Sequence, residues 1–275
     1  MNPVAVLTRP EGRNDRLAAR LNLAGIETLS LPALSLRPMQ SAQFKTPLPR
    51  DYDLIVFVSG SAVRYYLDQL ACAPESEPVW PESTLLATVG QASARPLYQA
   101  RGVIHRNIVH PRLPDQQQDS EALWSILQPL AHQFKRVLIV RGETGRDWLG
   151  RQLEQAGACV HRLGVYRREP AIWSSAQTRL LKERLEQGGP IVCLLTSSEG
   201  VAAVNANIEA HGLGTLWERV RFVVIHARVA RRLQSIGPDM SNGMAGPGRA
   251  HPQVVKICSP DEDAIFEAIV SVATL

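Results

Sequence analysis

The sequence predicts an α/β protein of two similar domains, each a parallel sheet flanked by helices. Three observations carry that prediction. Short apolar, β-branched runs alternate with amphipathic stretches along the chain. Segments of the first half recur in the second half in the same order. At 275 residues, 45% apolar and 20% charged, the chain is globular in composition and long for a single core.

Residues 4–8, VAVLT, read as a buried strand. After them Leu17, Leu21 and Ala24 fall at i, i+4, i+7 on one helical face, and Gly25 stands where a helix ends in left-handed backbone. Residues 28–36, TLSLPALSL, read as the next strand, completing a β-α-β unit that implies parallel pairing. The same logic gives strands at 54–59, 85–90, 137–142, 159–166, 191–197, 221–227 and 254–258, most of them leading into a helix. Ser259 and Pro260 suggest the N-cap and first residue of a last helix with an acidic first turn. Residues 106–118 and the Gly- and Pro-rich 238–252 read as loops, the latter as a lid or a disordered stretch.

The repeat has a fixed register. Arg9, Leu17, Leu21, Ala24 and Gly25 align with Arg141, Leu149, Leu153, Ala156 and Gly157 at an offset of 132. FVSGSAV at 57–63 resembles LTSSEGV at 195–201, and 89–97 more distantly resembles 225–233. A tandem duplication would divide the chain near residue 130.

Composition narrows function. The longest apolar runs are far shorter than the roughly 20 residues of a membrane span. The N-terminus has no signal-peptide pattern, so a cytoplasmic protein is expected. Four scattered cysteines are expected as free thiols, with Cys193 a small buried hydrophobe. Seven histidines make no metal-ligand spacing, His105 and His110 being the nearest approach, so no metal is expected. A net charge of +4 comes mainly from arginine, whose planar fork suits carboxylates. With 5% aromatics and no basic run, nucleic acid is not the expected partner.

In parallel sheets ligands bind beyond the carboxyl ends of the strands. The turns there carry Arg9, Pro10 and Arg13; Ser59, Gly60, Ser61 and Ala62; Gly90, Gln91 and Ser93; Arg141, Gly142, Glu143, Gly145 and Arg146; Thr196, Ser197, Ser198, Gly200 and Val201; His226 and Arg228. Ser, Thr and Gly expose backbone N–H groups at a helix start, which is an anion site, and Arg adds a carboxylate clamp. Two domains offering three such turns each would line a cleft with anion holders. No G-x-G-x-x-G, P-loop, nucleophile elbow or paired general acid/base carboxylates accompany them. The residues alone leave open an enzyme or a non-catalytic two-domain binder of a polycarboxylate or phosphorylated metabolite. A two-domain sugar-transfer enzyme is a third reading, against which the missing nucleotide site counts.

The start V6-L-T-R-P10, the helix ending in A24-G25, Y52-D-L-I-V-F-V-S59 with A62-V63, V89-G90 with A94, L138-I-V-R-G142-E-x-G145-R146, V165-Y166, and T196-S197 with V201 resemble the uroporphyrinogen-III synthase family. The resemblance implies two flavodoxin-like α/β domains joined by two extended crossovers near 36–40 and 166–170, with one domain from 1–36 plus 170–275 and the other from 40–166. It implies a cofactor-free monomer that dehydrates and cyclises a linear tetrapyrrole with eight carboxylates, inverting its last ring. It also implies Tyr166, at a strand end, as the candidate acid. The 226–230 turn, HARVA, departs from the family, which commonly shows Gly with Ser or Thr there.

Overall fold

A computed structural model describes residues 2–39, 46–72, 79–111, 119–236 and 254–275. The loop expected at 238–252 lies wholly outside them, as do residues 112–118; the described part of the loop expected at 106–118 contains a short strand, Ile108–Val109. In chain order the first elements are β1 (Val4–Leu7), α1 (Asp15–Leu23), β2 (Glu27–Ser30), β3 (Leu34–Pro38), β4 (Leu54–Phe57), α2 (Gly60–Ala71), β5 (Leu85–Thr88) and α3 (Gln91–Gln99). Next come β6 (Ile108–Val109), α4 (Ser120–Leu127), β7 (Arg136–Gly142), α5 (Trp148–Gln155), β8 (Cys159–Pro170), α6 (Ser175–Gln187) and β9 (Ile191–Leu195). The last are α7 (Ser198–Ala210), α8 (Gly214–Trp217), β10 (Arg221–Val224), α9 (Ala227–Ile236), β11 (Val255–Ile257) and α10 (Glu262–Ala273).

The residues gather into two compact units, 1–35 with 169–275, and 36–168. The first holds a five-stranded sheet in the order β11-β10-β9-β1-β2, with every pair parallel. The second holds a six-stranded sheet, β3-β8-β7-β4-β5-β6. Its strands from β8 to β6 pair in parallel. If β1 and β7 are each counted as strand 1 of their unit, the first sheet reads 2-1-3-4-5, the flavodoxin-like order, and the second reads the same with β3 added at its edge beside β8. The repeat is therefore exchanged. β1 and β2 of the first half complete the sheet of the second, and β7 and β8 of the second complete the sheet of the first.

Local chemistry explains the elements. β1, β4 and β9 are buried along their whole length, as strands covered on both faces must be. Leu17 and Leu21 of α1 are fully buried, as is Leu153 of α5, with Leu149 nearly so. Each such leucine contributes about 1.5–3 kcal/mol through burial. The two helices end alike. Gly25 has φ +78°, its N–H donates to Asn22 O, and that of Ile26 donates to Leu21 O. Gly157 has φ +97°, its N–H donates to Glu154 O, and that of Ala158 to Leu153 O. This is the Schellman closure, repeated at the 132-residue offset. In the first unit buried Asn207 accepts from Trp173 N at 3.0 Å and donates to Ala171 O at 2.7 Å, fixing the segment that enters α6.

Two expectations are corrected. Residues 28–36 are not one strand. Pro32 lacks an N–H for a ladder, and the chain splits into β2 in one sheet and β3 in the other. The last helix is capped by Asp261, not Ser259: the Asp261 carboxylate accepts from Ala264 N at 2.9 Å. The Ser259 hydroxyl donates to that same carboxylate. Among the described residues no helix is long and apolar enough to cross a membrane.

Candidate functional site

Each sheet delivers three of the six turns to one edge. In the first unit β10, β9 and β1 are neighbours and parallel. Their carboxyl ends therefore place His226 and Arg228, Thr196 to Val201, and Arg9 to Arg13 side by side. In the second unit β7, β4 and β5 are neighbours, and their ends bring together Arg141 to Arg146, Ser59 to Ala62, and Gly90 to Ser93. Strand order reverses between β1 and β9, and between β7 and β4. Those are the switch points where open α/β sheets hold ligands.

The second unit has the more complete constellation. Ser59 is extended at φ −167° and caps α2, its Oγ accepting from Ala62 N at 3.1 Å. The N–H groups of Gly60 and Ser61 remain at the open helix end. Gly90 starts α3 without a side-chain cap, and a Cβ on Gly60 would lie 3.6 Å from Ala92 O, so the two helix starts adjoin. Tyr166 does not end its strand as expected, since β8 runs on to Pro170; 4% exposed, it closes the group from within β8, with its hydroxyl 3.3 Å from Ser59 Oγ. The Tyr166 ring is held by Tyr65 at 5.6 Å between centroids. Tyr65 in turn donates to Leu36 O at 3.0 Å. Gly142 makes room for the phenol: a Cβ there would lie 3.0 Å from its ring.

Arg141 does not project freely. Its Nε donates to Gly142 O at 3.2 Å and its Nη1 lies 3.4 Å from Asp147 Oδ1. Gly145, at φ +146°, passes so near that a Cβ would sit 3.0 Å from Arg141 Nη2. Asp147 also accepts from Arg162 Nε at 2.8 Å, and that hydrogen bond holds its carboxyl below the usual range. Arg162 is pushed up in turn by its bonds to Glu154 and Asp147. Arg146 turns away to Glu121 at 2.5 Å and lies over the Trp148 ring. Glu143 and Gly145 are exposed on the turn.

The first unit repeats the serine cap. Ser197 Oγ accepts from Gly200 N at 2.9 Å. A Cβ on Gly200 would lie 3.0 Å from that oxygen. Ser198 Oγ is buried without a hydrogen-bond partner. Arg9 pairs with Glu262 at 3.7 Å, and burial lowers its pKa. Pro10 O accepts from Arg13 N at 3.1 Å in the turn, and the Arg13 side chain is exposed. His226 caps α9 through Nδ1, which accepts from Arg228 N at 3.0 Å. An imidazole thus stands where the second unit has Gly90. Ala62 and Val201 point into their cores, so only their backbones belong to the turns.

Sequence reasoning missed Asn14, Asp147, Arg162 and Glu262, and it named Thr8 only as the head of its turn. Thr8 Oγ1 donates to Leu194 O across the β1/β9 switch point, and buried Asn14 donates to Arg9 O at 3.2 Å. Asp147 had one available signal, because it follows the R-G-E-T-G-R turn directly. Among the described residues no group of three or more His, Cys, Asp or Glu is placed to hold a metal. A shallow crease lined by Gly188, Gly189, Arg219 and Arg221 lies at the opposite, amino ends of β9 and β10.

The model of the family described as uroporphyrinogen-III synthase HemD matches residues 15–239. The chain belongs to the uroporphyrinogen-III synthase family. Uroporphyrinogen-III synthase of Proteus mirabilis is 28% identical over 166 residues, 59% of this chain and 79% of the relative. That of Salmonella typhimurium is 26% identical over 238 residues, 84% and 91% of the two chains. A crystal structure of uroporphyrinogen-III synthetase from Helicobacter pylori covers 98% of this chain and 99% of its own, at 15% identity and a TM-score of 0.57, and so shares the fold. Enzymes of the uroporphyrinogen-III synthase family are cyclising lyases.

Proposed function

We propose that this chain converts hydroxymethylbilane to uroporphyrinogen III, as a cytoplasmic monomer without cofactor. The observation that carries the reading is the buried Tyr166 phenol, 3.3 Å from Ser59 Oγ, at the switch point of a family-matched sheet. Open helix starts on either side supply N–H groups for acetate and propionate side chains. Arg13 and Arg228, both exposed, add positive charge at the strand ends.

In the proposed reaction the Tyr166 O–H gives its proton to the departing hydroxyl, which leaves as water. The azafulvene left behind is attacked by the substituted carbon of the terminal pyrrole, giving a spiro intermediate. Fragmentation and closure invert the last ring, and the proton shed on re-aromatisation restores the phenol. Linear tetrapyrrole also closes unaided without inversion, so the protein's contribution is orientation together with exclusion of water from a cationic intermediate. The test is isomer analysis of the oxidised product from freshly made hydroxymethylbilane. Isomer III supports the reading, and isomer I alone at the uncatalysed rate rejects it.

A further inference from the structure

By residue type, Arg9 and Arg141 are carboxylate ligands. Their surroundings assign them differently. The Arg141 side chain is 12% exposed and that of Arg9 15%. Each is already matched to an acid of its own chain, Asp147 at 3.4 Å and Glu262 at 3.7 Å. The two arginines are equivalent in the repeat, yet their acids are not. Asp147 follows Arg141 on the same turn, whereas Glu262 comes from the far end of the sequence on α10. The same tether has therefore been met by two different routes.

The second unit shows how closely the tether is built. Asp147 shares its carboxylate between Arg141 and Arg162. A Cβ on Gly150 would lie 2.8 Å from Asp147 Oδ1 and 2.9 Å from Arg162 Nη2, so α5 approaches the network over a glycine. Gly145 gives way to Arg141 from the other side. In the first unit Glu262 also binds Arg16 at 3.1 Å. An acid beside the docking edge of a polyanion repels it, and this cost needs an offsetting gain.

We infer that Arg9 and Arg141 are positioning residues that shape the two switch-point turns, with Glu262 and Asp147 as the acids that hold them. Substrate carboxylates then meet backbone N–H groups of the turns rather than these two guanidinium groups. This rests on the function proposed above.

The experiment uses Asp147→Asn and Glu262→Gln in the full chain. Calorimetric titration with uroporphyrin III, which carries the product's eight carboxylates, is run beside steady-state assays on hydroxymethylbilane with isomer analysis. A clamp freed from its acid binds a polyanion more tightly. A positioning residue released from its acid binds it less tightly. We expect uroporphyrin affinity and kcat/KM each to fall about tenfold in Asp147→Asn, the range of a lost charge-assisted hydrogen bond, and about threefold in Glu262→Gln, whose 3.7 Å contact with Arg9 is an ion pair without a hydrogen bond. Isomer I should rise with that fall. Asp147→Asn should add little to the loss caused by Arg141→Lys, because both act through one turn. Tighter uroporphyrin binding by either variant, or additive losses, overturns the inference. Should Asp147→Asn fail to fold, Glu262→Gln in the other unit carries the same test. If the unaltered chain makes only isomer I, the proposed reaction falls while the uroporphyrin titration still decides the role of the arginines.

Discussion

One methyl group at Gly142 tests whether the Tyr166 hydroxyl acts in the reaction. The added Cβ would lie 3.0 Å from Cε2 and Cζ of Tyr166 and 3.3 Å from its oxygen. Comfortable carbon contacts begin near ~3.5 Å, so the ring must retreat by about 0.5 Å. Gly142 is outside the left-handed region, and alanine there meets no backbone strain. The ring is 4% exposed and packed on Tyr65, so the retreat strains the core by about 1–3 kcal/mol. It also carries the hydroxyl away from Ser59 Oγ. A misplacement of this order costs a proton donor roughly 10- to 100-fold in rate. The assay is kcat for uroporphyrinogen III formation, with urea unfolding measured on the same preparation. Gly142→Ala should lose activity by that factor while staying folded at 25 °C. Combined with Tyr166→Phe it should lose no more than Tyr166→Phe alone. A folded Gly142→Ala protein with unchanged kcat would show that the Tyr166 hydroxyl takes no part in the reaction.

Other outcomes follow from the same geometry. Tyr166→Phe should lower kcat by about 100-fold or more while uroporphyrin affinity changes little; equal effects would remove the phenol from the chemistry. The Asp147 carboxyl is held below its usual range, chiefly by the Arg162 hydrogen bond. A depressed carboxylate stabilises fully above the unfolded value near ~4, and the contribution is lost as pH falls through the folded value. Asp147→Asn should therefore flatten the acid limb of the stability curve below about pH 4 and leave its slope between pH 6 and 8 unchanged. A changed neutral slope contradicts this. Iodoacetamide at pH 8 should label exposed Cys72 and Cys159 long before Cys193, whose thiol is fully buried and pushed up by burial. Mass spectrometry finding Cys193 modified in the folded protein at a comparable rate would count against the core described for the first unit.

The elements with local signals were legible. Leu17, Leu21 and Gly25 announce α1 and its closure, and their partners at 149, 153 and 157 announce α5, because helical period and left-handed glycine are written in neighbouring residues. Sheet membership was not. β1 pairs with β9 across more than 180 residues, and every buried strand reads as the same apolar run, so nothing local says which half completes which sheet. Pro32 was a legible break that the surrounding Leu-rich pattern concealed. The site divides in the same way. Ser59 and Ser197 are visible as caps from sequence, since the cap and the N–H it binds lie three residues apart. The pairing of Arg9 with Glu262 and the bracing of Asp147 by Arg162 join residues that meet only in the fold. The seat of Tyr166 against Ser59 spans 107 positions and is equally silent.

In the proposed reaction the strand-end amides hold the acidic arms of the substrate. Amide shifts followed by NMR during titration with uroporphyrin III test it residue by residue. Changes should concentrate at Arg9–Arg13 and Ser197–Gly200 in one unit, and at Ser59–Ala62, Gly90–Ser93 and Gly142–Arg146 in the other. Changes confined to the crease around Gly188, Gly189 and Arg219, with those turns unmoved, would contradict it.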